Sequence, residues 1–265
     1  MNQLKLSKTK PRLRETLKSI GDILTWFAIG ILWLLSFLPY PILMKLGDLI
    51  GLFLYKVSPH RREITLINIE RCLRLESKES KDLLKENFRS IGRGIFEMAI
   101  AWWSSEKRIR KFKIRIINKE TLKNSEEGVL VLIKHTTHLE LDLRLLSQYF
   151  DLSGMYKLQT NKVINYVMVT ARNKYIKSSL TNKEAIKALR WIKSGQKFIY
   201  AADQDYGLKV SEMVPFFGHD AATVTFPKIF ARKKIRIVFA DVSKVGEIFA
   251  VSYTHLRAHE TADNL

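Results

Sequence analysis

The sequence predicts an α/β layered domain behind an apolar N-terminal helix, and three observations carry that reading. From residue 113 onward, short apolar runs alternate with amphipathic stretches. KIRII (113–117), GVLVLI (128–133), SGMYKL (153–158), KFIYAA (197–202) and IRIVFADV (235–242) read as strands. LELDLRLLSQYF (139–150), residues 164–172 and residues 222–232 read as helices, as does the stretch to Ser194 that Thr181 and Glu184 open as a capping box and Gly195 stops. Between residues 60 and 103, charged and apolar positions recur at the 3–4 spacing of helices. Finally, ILTWFAIGILWLLSFL (23–38) carries no charge and is closed by Pro39 and Pro41.

Composition narrows the field. A chain of 265 residues with 46% apolar content has enough material for one large or two small packed domains. Only 12 Gly and 6 Pro exclude collagen-like or low-complexity chains. The single cysteine, Cys72, excludes an internal disulfide framework and a Cys-only zinc site. A formal charge of +19 asks for an anionic partner: nucleic acid, an anionic membrane or an acidic protein. A nucleic-acid platform would interleave aromatics with basic runs; here the aromatics crowd the apolar segments, so no nucleic acid is expected.

Four segments follow. Residues 1–19 form a basic tail with Lys5, Lys8, Lys10, Arg12, Arg14 and Lys18 against Glu15, suited to anionic headgroups. Residues 20–56 read as a membrane-anchoring segment. The uncharged run falls short of the ~20 residues of a spanning helix, so embedding from one side suits it better. Residues 57–250 form the α/β domain. Residues 251–265 begin VSYTHLRAHET, which resembles a translated sequencing adapter; they are set aside as non-native, with His255, His259 and Glu260, and the domain is expected to be truncated near Ala250.

The sharpest motif is GVLVLIKHTTHLELDLR, where a buried strand delivers His135 and a helix follows with Glu140 in its first turn. Sites in open α/β sheets gather at the carboxyl ends of strands. Five residues on one continuous helix would stand ~140° apart, so His135 and Glu140 meet only if His135 lies in the loop before the helix. A His–carboxylate pair makes a general base with an orienter. No G-x-S-x-G nucleophile is present, so direct attack by a substrate hydroxyl is expected, with no metal or cofactor. Two plainer readings stand beside this one: Thr137 and Glu140 form a capping box, and His135 with His138 makes an H-x-x-H lacking a second ligand cluster. Arg144, Lys157 and Arg172 are candidates for phosphate or a developing oxyanion. Asp203 and Asp205 follow a buried strand in D-Q-D-Y-G, and VPFFG (214–218) reads as an exposed apolar loop.

These pieces, in their order, resemble the bacterial lipid A late acyltransferases. The matching stretches are WLLSFLPYPILMKLGDLIG, LYKVSPHRR, ENFRSIGRGIFEMAIAWW, His135–Glu140 with LELDLR, IKALRWIKSGQKFIYAADQDYG, VPFFG and AATVTFPKIFAR. The resemblance implies the glycerolipid-acyltransferase α/β fold with an N-terminal membrane helix, at the bacterial inner membrane and facing the cytoplasm. It implies transfer of a fatty acyl group from acyl carrier protein to a hydroxyl of a lipid A precursor, with His135 as base and Glu140 as orienter. By the same likeness Arg172 lies near the site, and Asp203 and Asp205 match the family's acids. The chain departs from the family pattern at Lys157, where arginine is usual, at Ala202, where proline is usual, and at Thr137 and His138, where apolar residues are common. An acidic carrier protein, a phosphorylated acceptor and an anionic leaflet would all exploit +19.

Two other readings compete. A glycerophospholipid acyltransferase of the lysophosphatidic acid type would favour Asp at position 140 and an E-G-T-R-like loop, which this chain lacks. A basic, membrane-associated binding protein without catalysis would need neither His135 nor its acid.

Overall fold

The structure, a computed structural model, describes residues 12–118, 120–123, 127–181, 184–246 and 248–256. Lys5, Lys8 and Lys10 of the basic tail and residues 257–265 of the adapter-like end lie outside them.

After a short 3-10 helix (Leu13–Thr16) come four α-helices: α1 (Ile20–Leu35), α2 (Tyr40–Val57), α3 (Pro59–Leu73) and α4 (Ser77–Trp103). Ser19 and Asp22 cap α1 reciprocally. The segment expected as one helical region over 60–103 is divided where Arg74 takes a left-handed conformation (φ 52°) and ends α3. The segment expected to anchor in a membrane folds as α1 and α2, and among the described residues no helix is long and apolar enough to cross a membrane.

Helices α2 and α4 cross at glycines. A Cβ added at Gly92 of α4 would strike the Gly47 carbonyl and the Gly51 amide nitrogen of α2. Alanine is the better helix former by about 1 kcal/mol, but overpacking typically costs about 1–3 kcal/mol. Gly92→Ala is therefore expected to lower the urea midpoint; an unchanged or higher midpoint would mean the helices slide apart freely.

The remaining elements are α5 (Glu106–Ile109), β1 (Lys113–Ile117), α6 (Glu120–Lys123), β2 (Val129–Ile133), α7 (Leu139–Leu146), β3 (Leu152–Tyr156), α8 (Lys162–Arg172), β4 (Ser178–Thr181), α9 (Ala185–Lys193), β5 (Lys197–Ala201), β6 (Ser211–Phe216), β7 (His219–Val224), α10 (Phe226–Arg232), β8 (Arg236–Val245) and β9 (Ile248–Leu256). Seven strands form one sheet in the order β1-β9-β8-β2-β5-β3-β4. Its pairs are parallel except β8–β9, so the sheet is mixed.

Strand β2 is buried along its whole length. Val129, Val131 and Ile133 join one core cluster with Leu143 and Leu146 of α7, while Leu130 and Leu132 join another with Trp191 and Ile192 of α9. That two-sided burial is why the run is apolar without alternation. A third cluster packs α2, α4, α7 and α8 together around Phe96, Ile100 and Trp102.

Several expected elements change. Residues 222–232 divide into the end of β7 and the helix α10, and VPFFG lies in β6 and its turn, so the two stretches form an antiparallel hairpin. Phe217 and Gly218 both have positive φ (50° and 79°), as a two-residue I′ turn requires. Strand β4, unread in the sequence, pairs with β3; its Ser178 hydroxyl lies 2.8 Å from that of Ser153. Helix α7 is shorter than expected, ending at Leu146. The Thr181 capping box is half made: Glu184 Oε2 accepts from the Thr181 amide at 3.0 Å, and α9 starts only at Ala185. Residues 182–183 lie outside the described residues. The adapter-like residues 251–256 continue β9, where Phe249, Val251 and Tyr253 alternate into the core.

Candidate active site

The site is set by register. Strands β2 and β5 run parallel, with Ile133 opposite Ala201 at their carboxyl ends. Two residues further along each chain stand His135 and Asp203. The Asp203 Oδ1 lies 2.5 Å from His135 Nδ1, and Oδ2 accepts from the His135 backbone amide at 2.7 Å. One carboxylate thus holds both the ring and the main chain of the residue it orients. Partial burial would raise the Asp203 pKa; the hydrogen bonds from His135 outweigh it and hold the carboxyl below its usual value. The His135 side chain is 29% exposed, open to a substrate.

The loop carrying His135 rests on α4. Ser90 and Thr137 hydroxyls lie 2.7 Å apart, and a Cβ added at Gly94 would run into the Thr137 carbonyl. Gly94→Ala is expected to push the 135–138 loop away from α4 and lower kcat more than it lowers the melting temperature, read by acyl-transfer kinetics alongside circular dichroism.

The expected His135–Glu140 pair does not meet. His135 does lie in the loop before α7, as that pairing required, but Glu140 turns inward instead. Its carboxylate receives Arg172 Nε at 3.1 Å, a second bond from Arg172 Nη2, Trp102 Nε1 at 3.1 Å and the Tyr175 hydroxyl at 3.2 Å. Both side chains are largely buried, 13% and 17% exposed. Burial alone would raise the Glu140 pKa; the Arg172 charge and the hydrogen bonds outweigh it, and the net direction is downward. Burial likewise opposes the charge on Arg172, and Glu140 more than restores it. Burial and the neighbouring Glu140 push Tyr175 well above its usual pKa, so it stays a phenol and donates. Nor does Glu140 cap α7: the cap position is His138, without a side-chain cap bond.

The other candidates scatter. Arg144 is a buried residue, paired with Glu106 and stacked 4.8 Å over the Tyr175 ring, so it packs as a core cation. Lys157 is exposed just past β3. Asp205 accepts from the Gly207 amide at 2.6 Å, a turn contact. Two neighbours take places that the sequence does not assign them, His138, expected only within an H-x-x-H, and Tyr175. His138 Nδ1 lies 2.7 and 2.8 Å from the two oxygens of Asp142, an i,i+4 pair visible in the spacing. Tyr175, three residues after Arg172, had no such signal. Among the described residues no group of three or more His, Cys, Asp or Glu is placed to hold a metal ion.

Comparison with known proteins gives this arrangement a context. The family model described as bacterial lipid A biosynthesis acyltransferase matches residues 10–254. The lipid A biosynthesis lauroyltransferase of Escherichia coli (strain K12) is 31% identical over 214 residues, 79% of this chain and 70% of that protein. The palmitoleoyltransferase of the same organism is 32% identical over 206 residues, 76% of this chain and 67% of that one. Among solved structures, the 1-acyl-sn-glycerophosphate acyltransferase of Thermotoga maritima aligns at TM-score 0.37 and 11% identity, covering 80% of this chain and 85% of that one. A family match over most of the chain, with relatives above 30% identity, means that this protein belongs to the bacterial lipid A biosynthesis acyltransferases.

Proposed function

We propose that the protein transfers a fatty acyl group from acyl carrier protein to a hydroxyl of a lipid A precursor, with His135 as general base. The observation that carries this is the His135–Asp203 pair at the adjoining carboxyl ends of β2 and β5. Asp203 fixes the tautomer with the proton on Nδ1, leaving Nε2 to accept. Nε2 takes the acceptor hydroxyl proton as that oxygen bonds to the thioester carbonyl carbon. The tetrahedral intermediate then expels the carrier thiolate, the C–S bond breaks, and the proton passes from Nε2 to sulfur. Arg172 is engaged by Glu140, and of the amides that open α7 those of Leu139, Leu141 and Asp142 already bond to Thr136 or His138, which leaves the Glu140 backbone amide as the candidate donor for the oxyanion. Glu140 acts as a positioning residue, holding α7 to α8 behind the base.

The site faces the cytoplasm from the inner membrane. What supports membrane docking is a stripe of exposed apolar residues on α1, Ile20, Ile23, Leu24, Phe27, Ile31 and Leu34 at helical spacing, with Trp33 exposed off that stripe. The opposite face, including Trp26 and Ile29, packs on the third core cluster. On α2, Leu49, Phe53 and Val57 form a similar stripe. An apolar face on a helix too short to span suits a helix lying in the headgroup region. Phe27→Asp is expected to move most of the protein from liposomes of anionic lipid to the supernatant in a flotation assay; unchanged flotation would rule out α1 as the anchor.

The activity is tested by incubating the purified protein with acyl-acyl carrier protein and a tetra-acylated lipid A precursor. A mass gain of one acyl chain supports the reading. No gain there, with acylation of lysophosphatidic acid instead, would replace the acceptor.

A further inference from the structure

A second histidine–carboxylate pair stands beside the first and has no part in the reaction above. His138 Nδ1 is held by both oxygens of Asp142, whose Oδ2 also accepts from the Thr136 hydroxyl at 2.6 Å. Asp142 is 3% exposed. The pair fixes the ring and leaves Nε2 as the nitrogen available to a ligand.

The ring lines a cavity of about 580 Å³ bounded by α3, α4 and Gly246 between β8 and β9. That volume lies within the range of small-molecule sites. His135 and Asp203 are not among its lining residues. One wall is apolar, built from Ile69, Leu73 and Leu83, and Leu73 and Leu83 stay 46% and 39% exposed. The other end is polar and uncharged apart from what is already paired: Asn87, Ser90 and His138 stand near two cations, each held by carboxylates. Lys244 is bound to the buried Glu97, which also accepts from Tyr40, and Arg93 is bound to Glu86 and Asp48. Each cation in the wall is matched by a carboxylate, so no charge is left to neutralise a phosphate or a fatty-acid carboxylate.

We infer that this cavity binds a fatty acyl chain bearing a neutral oxygen function, a hydroxyl or an ester. The chain lies against Leu73 and Leu83, and His138 Nε2 makes the hydrogen bond to the oxygen. The inference rests on the acyl-transfer reading only in taking that chain to be part of a substrate.

The test is a titration of the full chain in detergent with methyl 3-hydroxytetradecanoate. It is followed by NMR of ¹⁵N-labelled histidines, with the His138 signal assigned by its loss in His138→Gln. A saturable shift of the His138 signal is expected. His138→Gln should weaken binding about tenfold, the worth of one hydrogen bond to a buried polar partner. Leu83→Trp should fill the apolar wall and abolish binding, and should raise KM for the lipid acceptor while kcat is retained. Binding unchanged in both variants, or a shift of His135 with His138 still, would overturn the inference. If His138→Gln fails to fold, Leu83→Trp on the half-open wall decides alone. Intact binding without any acylation of the lipid A precursor would overturn the acyl-transfer reading and leave the cavity standing. Acylation with KM unchanged in Leu83→Trp would overturn the cavity and leave the acyl-transfer reading standing.

Discussion

Asp203→Asn is expected to lower kcat for acyl transfer by ~10²–10⁴, the span that general-base catalysis supplies, and His135→Ala by at least as much. The argument is one of tautomers. Asp203 accepts from Nδ1 and from the His135 amide together. An asparagine at 203 can turn its NH₂ toward Nδ1 and hold the proton on Nε2, where it is useless for accepting the acceptor's hydroxyl proton. KM should change little, because neither group has to bind the substrate in its ground state. Glu140→Gln should instead spare most of kcat and show its effect in stability. The two single variants therefore separate two acids that the spacing alone confuses. If Glu140→Gln loses kcat and Asp203→Asn keeps it, the orienting role returns to Glu140 and the resting contact of His135 with Asp203 is not the catalytic one.

The confusion has a physical source. His-x4-Glu is a local spacing, and it establishes only that His135 must leave the helix if it is to meet Glu140. Which acid reaches His135 is a matter of sheet order. Once β2 and β5 are neighbours in register at Ile133 and Ala201, residues 135 and 203 are forced together. The sequence placed each residue at the end of a strand, but strand adjacency is a long-range property that periodicity does not carry. The inward turn of Glu140 is likewise settled by partners far away in the chain, Trp102 on α4 and Tyr175 after α8. Apolar elements such as β2 and β5 were readable because residues from both of their faces join the core clusters. The β6–β7 hairpin was not, since its turn uses Phe217 at a positive φ where Asn-Gly would have signalled it. Strand β4 was missed for a related reason: Ser-Ser-Leu-Thr is polar in composition, and its burial depends on a serine–serine hydrogen bond across to β3.

The largest effect on stability is expected from Arg172→Ala. Glu140 and Arg172 are largely buried, and the pair joins α7 to α8 beneath the loop that carries the base. Taking both charges out of water is costly, so the pair as a whole need not add much net stability. Removing one partner is different, because the other charge is left buried without an answer, typically at a cost of about 3–5 kcal/mol. For a chain of this size that corresponds to a fall in melting temperature on the order of 10 °C. Trp102 and Tyr175 would still donate to the stranded carboxylate, so Glu140→Gln in the same background should recover part of the loss. The acid dependence follows from the direction of the Glu140 shift. Its native pKa lies below the ordinary 4.5, so the native carboxylate binds its proton less readily than the unfolded one. The stabilisation from this carboxyl is complete above the unfolded value and drains away as pH falls through the lowered native one. The gap in melting temperature between wild type and Arg172→Ala should accordingly be widest near neutrality and close in acid, below 4.5. Differential scanning calorimetry over that range checks it. A gap that stays constant with pH would mean that Arg172 stabilises through the packing of its stem and not through its charge, and that Glu140 is held by Trp102 and Tyr175 alone.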